Sequence, residues 1–119
     1  MTVLSGALLN ILDDAGVAVL TLTEGLGPEE FFSSRLTQRE VLRQMQVMAD
    51  TSANVPEEQK QQLIEIDWAG WSLLATQLKL AGSDGREALW FGVNSLVPAT
   101  LMWLRFYHKT SPDLFAVMP

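Results

Sequence analysis

The sequence predicts an all-α fold, and three observations carry that expectation. Apolar residues recur at three- and four-residue steps in every long segment, which is the period of an amphipathic helix. Glycine and proline fall between those segments, and no segment shows the two-residue alternation of a strand. At 119 residues there is room for one hydrophobic core and not two. Residues 1–119 are therefore expected to form a single helical domain, an antiparallel bundle of four to five helices whose last long helix is kinked at Pro98.

The first helix is expected over roughly residues 3 to 24, with Leu4, Leu8, Ile11, Ala15, Val19 and Leu22 as its buried stripe. Gly25, Gly27 and Pro28 end it. A short turn or helical piece, PEEFF, follows and buries Phe31 and Phe32. Thr37 and Glu40 have capping-box spacing ahead of Val41, Leu42, Met45 and Met48, although the helix can already begin near Ser33, and it runs to about Ala53. Pro56 suits the first turn of a third helix, PEEQKQQLIEI. A fourth begins near Asp67 and carries Trp71, Leu74, Leu78 and Leu80 up to Gly82, read as its C-cap. Asp84 opens the fifth, with Glu87 three residues on. Pro98 lies inside that helix, where it removes a backbone donor and clashes with the preceding turn.

Composition narrows the function classes. There is no cysteine, so no disulfide framework and no thiolate metal site, and a cytoplasmic protein is the simplest reading. The start lacks a basic n-region and reaches Asp13 and Asp14 too early for a signal peptide. No apolar run is expected to approach the ~20 residues that span a bilayer. A formal charge of −6 counts against binding to phosphate backbones, which rests on Lys and Arg. No Gly-rich phosphate loop, His/Cys metal spacing or G-x-S-x-G elbow is present, so no metal and no cofactor is expected.

The order of words along the chain is distinctive: FFSSRLTQREVLRQMQVMADTSANVPEE, then IDWAGW, then ALW and SLVPATL. In that order they resemble the HepT-like branch of the HEPN superfamily. Phe31, Thr37–Gln38, the segment Met48–Ala49–Asp50–Thr51, Trp68, Trp90 and Val97–Pro98 stand at the matching positions, and the resemblance covers roughly residues 4 to 106. It implies a helical bundle that homodimerises and is often paired with a minimal nucleotidyltransferase as toxin and antitoxin. It also implies metal-independent RNA cleavage by an R-x4–6-H pair, commonly with a tyrosine two residues after the histidine. In such a pair the imidazole acts as general acid or base and the arginine neutralises charge developing on phosphorus.

The chain departs from that pattern at the catalytic positions. Counted from Trp68, the arginine falls at Ala75, the histidine at Leu80 and the tyrosine at Gly82. The only histidine, His108, has Leu101, Met102 and Trp103 where an R-x4–6-H arginine would stand. Losing a general acid–base group costs about 10²–10⁴ in rate, so the expected protein is a non-catalytic dimer acting through protein contacts. Two alternatives stay open: an endoribonuclease with a displaced site around Arg105 and His108, and a small-molecule-binding bundle. RFYHK also reads simply as the solvated end of the last helix, its cations favoured by the dipole.

Arg35, Arg39 and Arg43, at i, i+4 and i+8, form a basic stripe able to dock an acidic partner or contact phosphate; an exposed helix face, supported by nearby Glu40 and glutamines, is the simpler reading. Asp13, Asp14 and Asp50 are read as solvated carboxylates rather than a metal site. The resemblance gives Asp50 a retained structural hydrogen bond. Core filling accounts for Trp68, Trp71, Trp90, Trp103 and the five methionines better than a ligand pocket does.

Overall fold

A computed structural model describes residues 3–116, with side chains from Ser5 onward. Seven α-helices follow one another: α1 (Val3–Thr23), α2 (Pro28–Ser33), α3 (Arg35–Asn54), α4 (Glu57–Gln62), α5 (Trp68–Gln77), α6 (Gly82–Phe91) and α7 (Val97–Thr110). A π-helical turn, Gly92–Leu96, joins α6 to α7, and a 3₁₀ turn, Pro112–Phe115, follows α7. There is no strand among the described residues, so the all-α expectation stands. The body is 45 × 26 × 20 Å, with α1 packed on α3 and α7 and α5 packed on the other flank of α3.

The boundaries follow local chemistry. Ser34 caps α3 by accepting from the Thr37 amide at 3.3 Å, and Asp67 caps α5 by accepting from the Gly70 amide at 2.8 Å. Pro28 opens α2 with its fixed φ, and Glu30 reaches back to the Gly27 amide at 3.1 Å. Thr37 is thus the third residue of α3 and not its cap. The capping box expected between Thr37 and Glu40 is not formed, because Ser34 takes the cap and Glu40 pairs with Arg43.

Three further expectations are corrected by packing. The buried face of α1 is Ser5, Leu9, Leu12, Ala15, Val19 and Thr23, rotated from the expected stripe, and Ile11 and Leu22 are exposed; Leu4's side chain lies outside the described residues. α4 ends at Gln62 instead of running through PEEQKQQLIEI. A turn over Leu63–Ile66 drives Leu63 and Ile66 into the core, and the Trp68 indole N–H donates to the Leu63 carbonyl at 3.1 Å. The stretch Ser5–Thr23, of mean hydropathy 1.4, is after all long and apolar enough to cross a bilayer; its inner face is packed in this fold.

Pro98 is accommodated by the π turn ahead of it. The Val97 amide donates to the carbonyl of Gly92, five residues back, which widens the helix where a proline ring would meet the preceding turn. Gly92 is also where the backbone presses on α3, since a Cβ there would strike the Met45 thioether. Phe31 is wholly buried and stacks near Trp90 at 5.4 Å, while Phe32 is only half-buried. Trp71 is wholly buried, and Trp68, Trp90 and Trp103 are half-buried against the core. Beneath α4, the Gln59 side-chain amide and the Ser52 hydroxyl are buried without a hydrogen-bond partner among the described residues. Burying an unsatisfied amide costs about 1–3 kcal/mol. Gln59→Met is therefore expected to raise the unfolding free energy by about 1 kcal/mol, read as a higher urea midpoint at unchanged slope.

Candidate functional site

Two surface features gather the residues singled out by the sequence. The first lies between α5 and α6. Helix α5 stops at Gln77, three residues short of Leu80, in tight turns closed by Lys79 N–H to Thr76 O and Leu80 N–H to Gln77 O. Gly82 is consequently not the cap of α5. It starts α6 with φ +71°, a left-handed value that glycine tolerates. This turn throws Leu80 outward.

Leu80 then forms, with Leu73, Ala88 and Phe91, the apolar wall of an open groove of about 430 Å³. Leu73, Leu80 and Phe91 are 59%, 50% and 52% exposed, large values for apolar side chains. Gln77, Asp84 and Glu87 make its polar edge. A second groove, of about 380 Å³, shares Leu80 and continues over Leu42, Leu78 and Leu89 to Arg39 and Arg86. The first groove is therefore edged by the carboxylates of Asp84 and Glu87 and the second by the guanidinium groups of Arg39 and Arg86, with Leu80 common to both. Ala75 is half-buried against the core, so of the three positions matched to the ribonuclease motif Leu80 lines both grooves, Gly82 the second alone, and Ala75 neither. None of the three bears a group that transfers a proton or offsets phosphate charge.

The basic stripe of α3 is divided by its surroundings. Arg43 donates to both carboxylate oxygens of Glu40, Nε at 3.1 Å to Oε2 and Nη2 at 2.6 Å to Oε1. That pairing, with Gln44 also donating, holds the Glu40 carboxyl below its ordinary range and raises Arg43. Arg39 turns to the groove beside Arg86, whose guanidinium lies 6.0 Å from the Phe32 ring centre. Arg35 stays exposed at the helix start. All three remain exposed along α3, with Arg43 engaged by Glu40 and Arg39 lining the second groove.

The second feature lies between α1 and the end of α7. Arg105 and His108, three residues apart, do share one face and line one cleft of about 420 Å³. Lys109 and Leu104 flank them. Asn10 and Asp13 supply the opposite wall, and Phe115 stands beneath, its ring 4.8 Å from the imidazole of His108. Asn10 and Asp13 were not recognisable as partners of α7 in sequence, because only the packing of α1 on α7 brings residues about a hundred positions apart together. Asp50, by contrast, is exposed. Its carbonyl accepts from the Asn54 side chain at 2.9 Å, and among the described residues no hydrogen bond of its carboxylate supports the structural role expected for it. Among the described residues no three His, Cys, Asp or Glu side chains gather in a way that could hold a metal.

Comparison with descriptions of known protein families, with curated proteins and with solved structures finds no match to this chain.

Proposed function

We propose that this chain is a HepT-like HEPN protein that has lost its nuclease centre and works as a dimeric protein-interaction component, within a pair formed with a nucleotidyltransferase-type partner. The observation that carries the reading is the apolar groove at Leu73, Leu80 and Phe91, on the segment where the resemblance expects the catalytic pair. Contiguous exposed apolar surface rimmed by polar groups is characteristic of protein interaction sites. The carboxylates of Asp84 and Glu87 edge the first groove and the guanidinium groups of Arg39 and Arg86 the second, with Leu80 common to both. A two-fold axis beside Leu80 that lays the first groove of one copy on the second groove of the other sets the acidic edge against the basic edge.

Light scattering on the purified chain tests the association: a dimer is expected, and a monomer at micromolar concentration would sink the reading. The lost chemistry is tested separately. Wild type and His108→Ala, each incubated with total cellular RNA without added metal, are both expected to leave the RNA intact. Cleavage by wild type that disappears in His108→Ala would instead place a nuclease site at Arg105 and His108.

A further inference from the structure

We propose that the cleft between α1 and the end of α7 binds a small organic anion, one with a phosphate or carboxylate head and hydrogen-bond donors on its body. This cleft shares no residue with the grooves at α5 and α6. It rests on how the two walls of the cleft differ in chemistry.

On the α7 wall stand Arg105, His108 and Lys109, at i, i+3 and i+4 and so on one helical face. Arginine and lysine are donors only, and the arginine fork matches two oxygens of one oxyanion. In a chain of net charge −6, two of its eight lysines and arginines and its only histidine meet here. On the α1 wall stand Asp13, an acceptor, and Asn10. The Asn10 Nδ2 donates to the Phe115 carbonyl at 3.0 Å, which leaves its amide oxygen with acceptor capacity. Donors therefore face acceptors across the opening.

These walls do not neutralise each other. Among the described residues, the ion pair formed within 4 Å is Arg43 with Glu40, and Asp13 pairs with none of Arg105, His108 and Lys109 opposite. A ligand that spans the gap meets both: its acid on Arg105, His108 and Lys109, its N–H or O–H groups on Asp13 and Asn10. The floor is apolar, made by the buried Leu104 and Phe115, which favours a ligand with a body over a bare ion. A volume of about 420 Å³ lies within the ~300–1,000 Å³ of small-molecule sites.

The cleft is also held in shape. The 3₁₀ turn that carries Phe115 is tied to α1 by the Asn10 bond, and it crosses α1 where Gly6 has no side chain. A Cβ at Gly6 would strike the Ala116 carbonyl. Preformed walls reduce the ordering that binding demands.

Because His108 is the only histidine, its ring protons report on the cleft without ambiguity in an NMR titration of the full chain. The probes are glucosamine 6-phosphate, glucose 6-phosphate, glutamate and inorganic phosphate. A saturable shift of the His108 signal is expected with glucosamine 6-phosphate or glutamate, at a Kd of about 1 mM or tighter. Which of the two binds more tightly tells a phosphate head from a carboxylate head. Arg105→Gln with Lys109→Gln, both exposed positions, is expected to weaken binding at least about tenfold with an unchanged far-ultraviolet spectrum. Asp13→Asn is expected to reduce the advantage of glucosamine 6-phosphate over glucose 6-phosphate. No saturable shift with either organic probe overturns the proposal. So does equal affinity for inorganic phosphate (an adventitious ion only), or binding that survives the double substitution.

Discussion

Trp71→Ala is expected to cost about 3–5 kcal/mol, a large fraction of the roughly 5–15 kcal/mol that holds a domain of this size together. Trp71 is wholly buried where α5 meets the core. Its indole N–H donates to the Thr100 hydroxyl at 2.9 Å, and that hydroxyl in turn donates to the Leu96 carbonyl at 2.7 Å. Truncation removes a large apolar surface, leaves a cavity, and unpairs one acceptor site on Thr100. Trp71→Phe separates these effects. It keeps most of the ring volume while removing the donor, and Thr100 keeps its bond to Leu96, so about 1–2 kcal/mol is expected. Urea unfolding followed by the fluorescence of the remaining tryptophans measures both. A loss below about 1 kcal/mol for Trp71→Ala would show that α5 does not pack as described.

Leu80→Asp combined with Phe91→Asp is expected to weaken self-association by about 100-fold or more, the equivalent of about 2.7 kcal/mol. Both side chains are half-exposed in the single chain, so the folded monomer loses little when they change. In an interface the same carboxylates would be desolvated beside Asp84 and Glu87. Sedimentation over a concentration series reads the constant directly, and thermal unfolding checks the fold. A charge exchange adds a sharper test. Arg39→Glu with Arg86→Glu, or Asp84→Lys with Glu87→Lys, should each weaken the dimer, and the four together should restore much of it. If wild type dimerises and none of these changes alters it, another face forms the contact.

Much of the local structure was legible in the residues themselves. Asp67 caps α5 as its position suggested, and Pro28 starts α2. The helical period of the long segments and the lack of strand alternation gave the fold class, because these are properties of a few neighbouring residues. A kink at Pro98 inside one long helix was the expectation, and a π turn over Gly92–Leu96 stands just ahead of that proline. The close approach of Gly92 to Met45 comes from packing on α3, which no local pattern encodes.

The candidate sites were legible only in part. Arg105 and His108 are three apart on one helix, so their shared face follows from spacing alone. The acidic and apolar walls opposite them do not, since Asn10, Asp13 and Phe115 join the cleft only through packing of distant segments. Likewise the loss of the arginine–histidine pair is a fact of sequence, whereas the outward turn of Leu80 comes from the early end of α5.

Sequence by itself therefore determined that this chain is helical and where most helices begin, because capping and periodicity act over a single turn. Tertiary structure alone decided which side of α1 is buried. That helix is apolar over much of its circumference, so Leu9 and Leu12 go inward in preference to Ile11 and Leu22 only because α3 and α7 contact that side. It also decided the early stop of α4, where burying Leu63 and Ile66 outweighs continuing a helix whose remaining face would be in water.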